Sequence, residues 1–472
     1  MSFESCSYRQ LIWGLLVVLS SGLQSEHVRG ETPARRPNIV VIFSDDQGTH
    51  DVGCYGSEIP TPHIDTLARD GVKMTQFYAA SSICTPSRFG LLTGQNPSRS
   101  QDQLLSALMF LADEDKTRGI RDHETTIAEV LTDAGYRTAL IGKWHLGHGD
   151  PLFAPHEHGF GLTYGHTAGC IDFFTLCYGN TPDWYRNGKP LVEFGYSTDL
   201  IADEAIRYLN AQTPDQPFFL YIPFNAPHFG KGWNDGDDTT VNLLQPRPQE
   251  LERVQWIEDI TRRKYAAMVV ALDDSIGRIL DTLEANKLSD NTLVVFMSDH
   301  GGDPNYGGDN RPLRGSKATL YEGGIRVPCL VRWPGQIPAG ELRTQPATAL
   351  DWFPTFCSLA NADASENTTD GMNLTPLLTR NEASGPREFF WETGAHSELQ
   401  RGNWQALRVG EWKWVRSPNE GESLFNLHDD PNEQHDLSHT HPQQMKQMQA
   451  RADQLATEYR ASAHKKRPAS RK

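Results

Sequence analysis

Two adjacent carboxylates, Asp45 and Asp46, stand directly after a short β-branched run, Ile39–Phe43. A second pair, Asp299 and His300, follows another such run, "TLVVFMS". Neighbouring carboxylates at a strand end cannot both be buried bare, because unpaired charge is costly to desolvate. A bound cation would offset that cost. Oxygen-rich ligands with one imidazole favour a hard divalent cation such as Ca²⁺ or Mg²⁺ over zinc. Taken alone, either pair also reads as solvated loop carboxylates. A shared sheet edge would favour the cation.

Basic and imidazole residues recur at similar places. "GKWHLGHG" puts Lys143 and His145 after a predicted strand, two residues apart and so on one side of extended chain. "FNAPH" carries His228, and "RGSKATLYEGG" carries Lys317 in a glycine-containing loop. Each has a bland reading as a solvated lysine or a satisfied histidine. Then comes "SSICTPSRFGLLTG", Ser81 to Gly94, with Cys84, Pro86 and Arg88. By itself Cys84 could be a buried thiol, half of a disulfide, a metal ligand or a nucleophile.

The elements that must position these residues follow an alternating pattern. Strands are predicted at "NIVVIFS", "YRTALIG", "FFLYIPF", "TLVVFMS" and "VPCLVRWPG". Helices are predicted at "TPHIDTLARDGV", capped by Thr61 with Pro62 first, at "TTIAEVLTDAG", at "STDLIADEAIRYLNAQ", over about Glu250–Asn286, and at "ATALDWFPTFCSLA". Such alternation predicts an α/β fold, a large mostly parallel sheet sandwiched by helices. Ligands in such sheets bind at the carboxyl ends of the strands. After Pro386, "FFWETG", "WQALRVG", "WKWVRS" and "SLFNLHDDP" predict a smaller C-terminal domain, a short antiparallel sheet with a final helix near Gln443–Ala461. The expected organisation is a catalytic domain over 36–364, a polar linker over 365–373, a C-terminal subdomain over 374–462 and a basic tail over 463–472.

The chain has 472 residues and a formal net charge of −16. That charge disfavours non-specific nucleic-acid binding, and an anion site must gather its own Arg and Lys. Arg9 followed by the apolar run Leu11–Leu19 reads as a secretory signal peptide within residues 1–30. The run is too short to span a bilayer, which takes about 20 residues per helix. A secreted or periplasmic protein without stable membrane insertion is expected. None of the seven cysteines forms a CxxC pair. Cys170 and Cys177 could close a short disulfide loop, or remain thiols.

In combination, these motifs resemble the type I sulfatases of the alkaline phosphatase superfamily. "CTPSR" matches the C-x-P-S-R maturation motif and continues through "FGLLTG". "GYRTALIGKWH" matches the second signature. "DDQG", "APH", "SDHG", "RGSKATLYEGGIRVP" and "LFNLHDDPNEQHDL" follow in the family's order. The likeness covers about Asn38 to Leu437.

The resemblance implies that Cys84 is oxidised to Cα-formylglycine by a formylglycine-generating or anaerobic sulfatase-maturating enzyme. It implies that Asp45, Asp46, Asp299 and His300 hold the divalent cation, with residue 84 as a further ligand. Arg88 would stabilise the aldehyde hydrate, and Lys143 and Lys317 would neutralise the sulfuryl group. His228 would protonate the leaving alcohol, and His145 would take the proton whose loss releases sulfate. The implied activity is hydrolysis of an alcohol or aryl sulfate ester, with a sulfated carbohydrate as the expected substrate. Alternatives are a phosphodiester or phosphonate monoester hydrolase of the same superfamily, and a sulfated-glycan-binding protein without turnover. His166 or Asp172 could touch substrate. Phe173, Phe174, Trp184, Tyr185 and Trp233 could stack on sugar rings or pack in the core. "DPLFAPHEHGF" and "PHFGKGWNDGDD" are expected rim loops.

Overall fold

The computed structural model describes residues 35–394 and 402–463. The expected signal segment, Cys6 and residues 464–472 lie outside the described residues. From Arg36 onward the chain clusters as one compact unit.

Ten strands form the main sheet: β1 (Asn38–Ser44), β2 (Val72–Met74), β3 (Arg137–Lys143), β4 (Leu162–His166), β5 (Tyr185–Arg186), β6 (Lys189–Pro190), β7 (Phe218–Pro223), β8 (Thr292–Ser298), β9 (Cys329–Arg332) and β10 (Glu341–Arg343). Their order is β10-β2-β9-β8-β1-β7-β3-β4-β5-β6. The centre, β8-β1-β7-β3-β4, is parallel. Antiparallel pairs join it to β9 and β5. The predicted parallel sheet is therefore the middle of a mixed one.

β1 explains why both faces need covering. Ile39, Val41 and Phe43 enter one hydrophobic cluster and Val40 and Ile42 the other. A strand buried on both faces reads as a continuous apolar run. Helices α1 (Pro62–Arg69), α4 (Ser197–Asn210) and α5 (Ile260–Ala285) cover one face. Helices α2 (Cys84–Thr93), α3 (Ile127–Asp133) and α6 (Trp352–Ala360) cover the other.

Two local expectations are corrected. The single helix over about 250–286 is two, Pro248–Glu252 and Ile260–Ala285. The second starts afresh because the Asp259 side chain accepts the Arg262 N–H at 2.7 Å, an N-cap. Thr61 precedes α1 but makes no side-chain cap. Asp273 instead accepts the N–H groups of His63 and Ile64 at 3.2 and 2.7 Å. Within the expected linker, Asp370 pairs with Arg99 at 2.7 Å.

The C-terminal sheet runs β11 (Glu388–Glu392), β12 (Gln405–Val409), β13 (Trp412–Ser417) and β14 (Gly421–Asn426), antiparallel throughout. Phe390, Leu407, Trp414 and Leu424 pack on the last helix, α7 (Pro442–Ala463). Trp391, Ala406, Val415 and Phe425 pack on Tyr78, Leu320 and Ile325 of the main body. Among the described residues no helix is long and apolar enough to cross a membrane.

Candidate active site

Register brings the two acidic motifs together. Ser44 pairs with Ser298 across β1 and β8, so Asp45–Asp46 and Asp299–His300 leave the sheet side by side. Lys143 ends β3 beside His166. β7 ends at Pro223, opposite Phe43, and leads to His228.

Cys84 is the first residue of α2, and the whole helix is buried. Pro86 sits in the first turn, where its missing N–H leaves no partner unmet. Arg88 lies four residues on, which places it under Cys84 on the same helix face. The helix N-terminus favours negative charge at position 84. Gly94, at φ 66°, ends the helix.

The side chains converge on Cys84. Its Sγ lies 3.2 Å from His300 Nε2 and 3.5 Å from Asp45 Oδ1. Arg88 Nη2 reaches Asp45 Oδ1 at 3.3 Å and Asp299 Oδ2 at 3.4 Å. Lys143 Nζ donates to Asp45 Oδ2 at 2.7 Å. Lys317 Nζ donates to both Asp46 oxygens at 2.7 Å and lies 3.1 Å from His228 Nε2. His300 Nε2 is 3.3 Å from Asp46 Oδ1. Asp46 and His145 carry left-handed backbone, φ 62° and 58°, strain of a kind that clusters at functional sites.

The charge balance tests the site for a cation. Burial pushes Asp46 up to about 6 and Asp299 up to about 8, despite the cations beside them. Burial also opposes the charge on Asp45, but Lys143, His228 and Arg88 hold it well below the usual carboxylate range. Burial works against a charged His300, yet Asp299, the Cys84 sulfur and Asp46 raise it to about 10. Protons thus do part of the work a divalent cation would do. Asp45, residue 84, Asp299 and His300 present donor atoms within 4.8 Å of one another. His300 gives its Nδ1–H to the Gly301 carbonyl at 3.0 Å, leaving Nε2 for a metal. Asp46 stands beside this set, closer to Lys317 and His228, and groups with Cys84 and His228. The carboxylate oxygens fit a hard cation, and the soft Cys84 sulfur would join them only once an oxygen replaces it.

The histidine tautomers follow from their partners, since a carbonyl only accepts. His145 Nε2–H donates to the Leu108 carbonyl at 3.0 Å, so Nδ1 keeps its lone pair. His228 Nδ1–H donates to the Phe229 carbonyl at 2.7 Å, so Nε2 faces Lys317. Burial first, with Lys143 and Lys317 respectively, holds both imidazoles well below their usual range. Burial likewise opposes ionisation of Cys84, but Lys143 and Lys317 bring its thiol below its ordinary value.

A pocket of about 90 Å³ opens on Cys84, His145, His228 and Lys317. A Cβ on Gly169 would lie 2.7 Å from His145 Cε1, so this wall of the pocket has room only for glycine. The lining also holds Phe110, Asn242, Asp303 and Tyr306, none of which the sequence reading singled out.

The residues that could touch substrate or pack in the core do not line this pocket. Phe173 and Trp184 are buried, packed on Tyr196 and Tyr164 at 5.3 and 5.1 Å between ring centres. Phe174 is exposed against Tyr196, and Tyr185 lines a separate cavity with His166. Asp172 holds its own loop, accepting from Phe174 N, Thr175 N and Gln245 Nε2. His166 donates to the Ala168 carbonyl and stacks on Trp184. Trp233 is half-buried on a hairpin (Gly230–Asn234 with Thr239–Leu243). Cys177 is a thiol that donates to the Thr175 carbonyl, so the Cys170–Cys177 disulfide does not form.

Comparison with known proteins decides the family. Residues 37–362 match the Sulfatase family model, and residues 316–461 match the model "N-sulphoglucosamine sulphohydrolase, C-terminal". The chain belongs to the sulfatase family. It is 32% identical to N-acetylgalactosamine-6-sulfatase of Canis lupus familiaris, over 86% of this chain and 76% of that protein. It is 33% identical to arylsulfatase A of Homo sapiens, over 84% and 77%. The crystal structure of Ps i-CgsB in complex with k-i-k-neocarrahexaose superimposes with a TM-score of 0.80, at 32% identity, covering 89% of this chain and 93% of that one. This sulfatase therefore shares its two-sheet α/β architecture with solved relatives.

Proposed function

We propose that this sulfatase hydrolyses a carbohydrate sulfate ester at a formylglycine made from Cys84, with Ca²⁺ in the Asp45–Asp46–Asp299–His300 cluster. One observation carries the reading: Cys84 sits where the carboxylate cluster, two lysines and two oriented imidazoles meet. The name of the relative N-acetylgalactosamine-6-sulfatase supports a sulfated sugar as substrate class, and the neocarrahexaose complex of Ps i-CgsB supports a carbohydrate. The hydrophobic N-terminal run supports export to a secreted or periplasmic location.

As a hydrated aldehyde, residue 84 would supply one hydroxyl to attack sulfur and a second to expel sulfate. A cation held there would polarise sulfate oxygens and ease ionisation of the nucleophile. Arg88, fixed by Asp45, Asp299 and the Lys143 carbonyl, orients residue 84. Lys143 and Lys317 stabilise charge building on the sulfuryl oxygens. Lys317 donates to His228 Nε2, so the pair would relay a proton from the Lys317 ammonium through Nε2 to the leaving oxygen. His145 Nδ1, with its free lone pair, takes the proton that must leave before sulfate departs.

The test uses protein co-expressed with a maturating enzyme. Mass spectrometry of the tryptic peptide Met74–Arg88 should show aldehyde at position 84, and the protein should cleave aryl sulfate far faster than aryl phosphate. Full conversion with no sulfatase activity, or a preference for phosphate, would sink the reading.

A further inference from the structure

Resting on the sulfatase reading, we propose that Tyr306 and Asp303 recognise a free hydroxyl beside the sulfate ester on the leaving alcohol. Both residues line the pocket with His228. Donor and acceptor roles along one chain fix what Tyr306 offers. Lys231 is buried and donates to Asn242 Oδ1 at 2.8 Å. A lysine has no acceptor, so the Asn242 oxygen faces Lys231 and its amide N–H faces onward. That Nδ2 donates to Tyr306 Oη at 2.7 Å. The phenol oxygen is thereby an acceptor towards Asn242, and its own hydrogen points to whatever enters the pocket. The ammonium at the head of the chain polarises the phenol as a donor.

Asp303 supplies the complementary acceptor. Its Oδ1 caps the short turn Pro304–Tyr306 by accepting Asn305 N at 3.0 Å. Its Oδ2 is buried and accepts no hydrogen bond among the described residues. A buried carboxylate oxygen left so is costly. The two side chains flank one turn, and the Tyr306 ring packs tilted on Phe229, 4.3 Å between ring centres, with Phe229 at 4.1 Å from the His228 ring. They therefore stand on the side where the leaving alcohol takes its proton. A second sulfate or a carboxylate would satisfy Tyr306 and oppose Asp303. An ammonium would satisfy Asp303 alone. A hydroxyl donates to one and accepts from the other.

Matured enzyme would be assayed on phenyl sulfate, catechol monosulfate and 2-carboxyphenyl sulfate. Sites that bond a substrate hydroxyl discriminate against its absence, so catechol monosulfate should exceed phenyl sulfate in kcat/KM by about tenfold or more. Tyr306→Phe and Asp303→Asn should each lower that ratio by about tenfold, the worth of one good hydrogen bond. A general structural loss cancels in the ratio. A wild-type ratio near one, a ratio unchanged in both variants, or a preference for the carboxylate probe would overturn the assignment. Wild-type enzyme that cleaves none of the three esters would instead remove the sulfatase reading, and this inference with it.

Discussion

Lys317 holds a proton 3.1 Å from His228 Nε2, the atom through which the leaving group would receive it. The contribution of His228 should depend on how badly the alcohol needs that proton. For His228→Ala, 4-nitrophenyl sulfate should lose about tenfold or less in kcat, while alkyl sulfates lose the roughly 10²–10⁴-fold typical of general acids. A plot of log kcat against leaving-group pKa should steepen in the variant. An equal loss across the series would mean that His228 positions substrate and transfers no proton. At this scale the residues around Cys84 were singled out by motifs whose meaning came from the family resemblance, and Cys84 alone left four readings open. The i, i+4 step from Cys84 to Arg88 on one helix and the register of Ser44 on Ser298 are what the structure adds. Tyr306, Asp303 and Asn242 were not legible, since they come from a turn and a hairpin whose sequences have no period. Their meaning lies in a hydrogen-bond chain across 64 positions of sequence.

Helix α2 shows how an element can be set by its neighbours against its own propensity. Gly90 lies mid-helix, where alanine ordinarily gains about 1 kcal/mol. Here an added Cβ would lie 2.3 Å from Ala80 Cβ and 2.9 Å from Leu350 Cδ2. Overpacking of that kind costs about 1–3 kcal/mol. Gly90→Ala should therefore lower the denaturation midpoint, and raise KM or lower kcat by shifting Cys84 and Arg88 together. A higher midpoint with unaltered kinetics would show that the packing around α2 yields easily. The strands and most helices were legible from apolar runs and caps. The break between Glu252 and Ile260 was not, because the intervening "RVQWIED" holds no glycine or proline and only Asp259 marks the new start.

The whole molecule is joined through a polar cluster that neither sheet announces in sequence. Lys413 of β13 donates to Glu322 Oε1 at 2.9 Å, close after the Lys317 loop, and lies 2.8 Å from Glu433 Oε1. Glu322 Oε2 accepts from Tyr78 at 2.7 Å, and Arg408 also bonds the Tyr78 hydroxyl. The sequence showed two compositional regions; it could not show one lysine shared by two buried glutamates. Burial opposes the charge on Glu322, but Lys413 leads the neighbours that hold it below its usual range. Glu433 is left with burial and a charged neighbour, and rises to about 7. An unfolded glutamate titrates near 4.3. Between those values the folded chain keeps a proton that the unfolded chain has released, so stability falls as pH rises through the window. The contribution is fully present below about pH 4 and gone above about pH 7.5. From pH 5 to pH 7.5 wild type should lose about 2–3 kcal/mol more than Glu433→Gln, by the linkage of about 1.4 kcal/mol per pKa unit. Urea denaturation of both proteins at the two pH values measures it. Parallel pH slopes would mean that Glu433 is ionised in the folded state, with Lys413 serving both carboxylates at once.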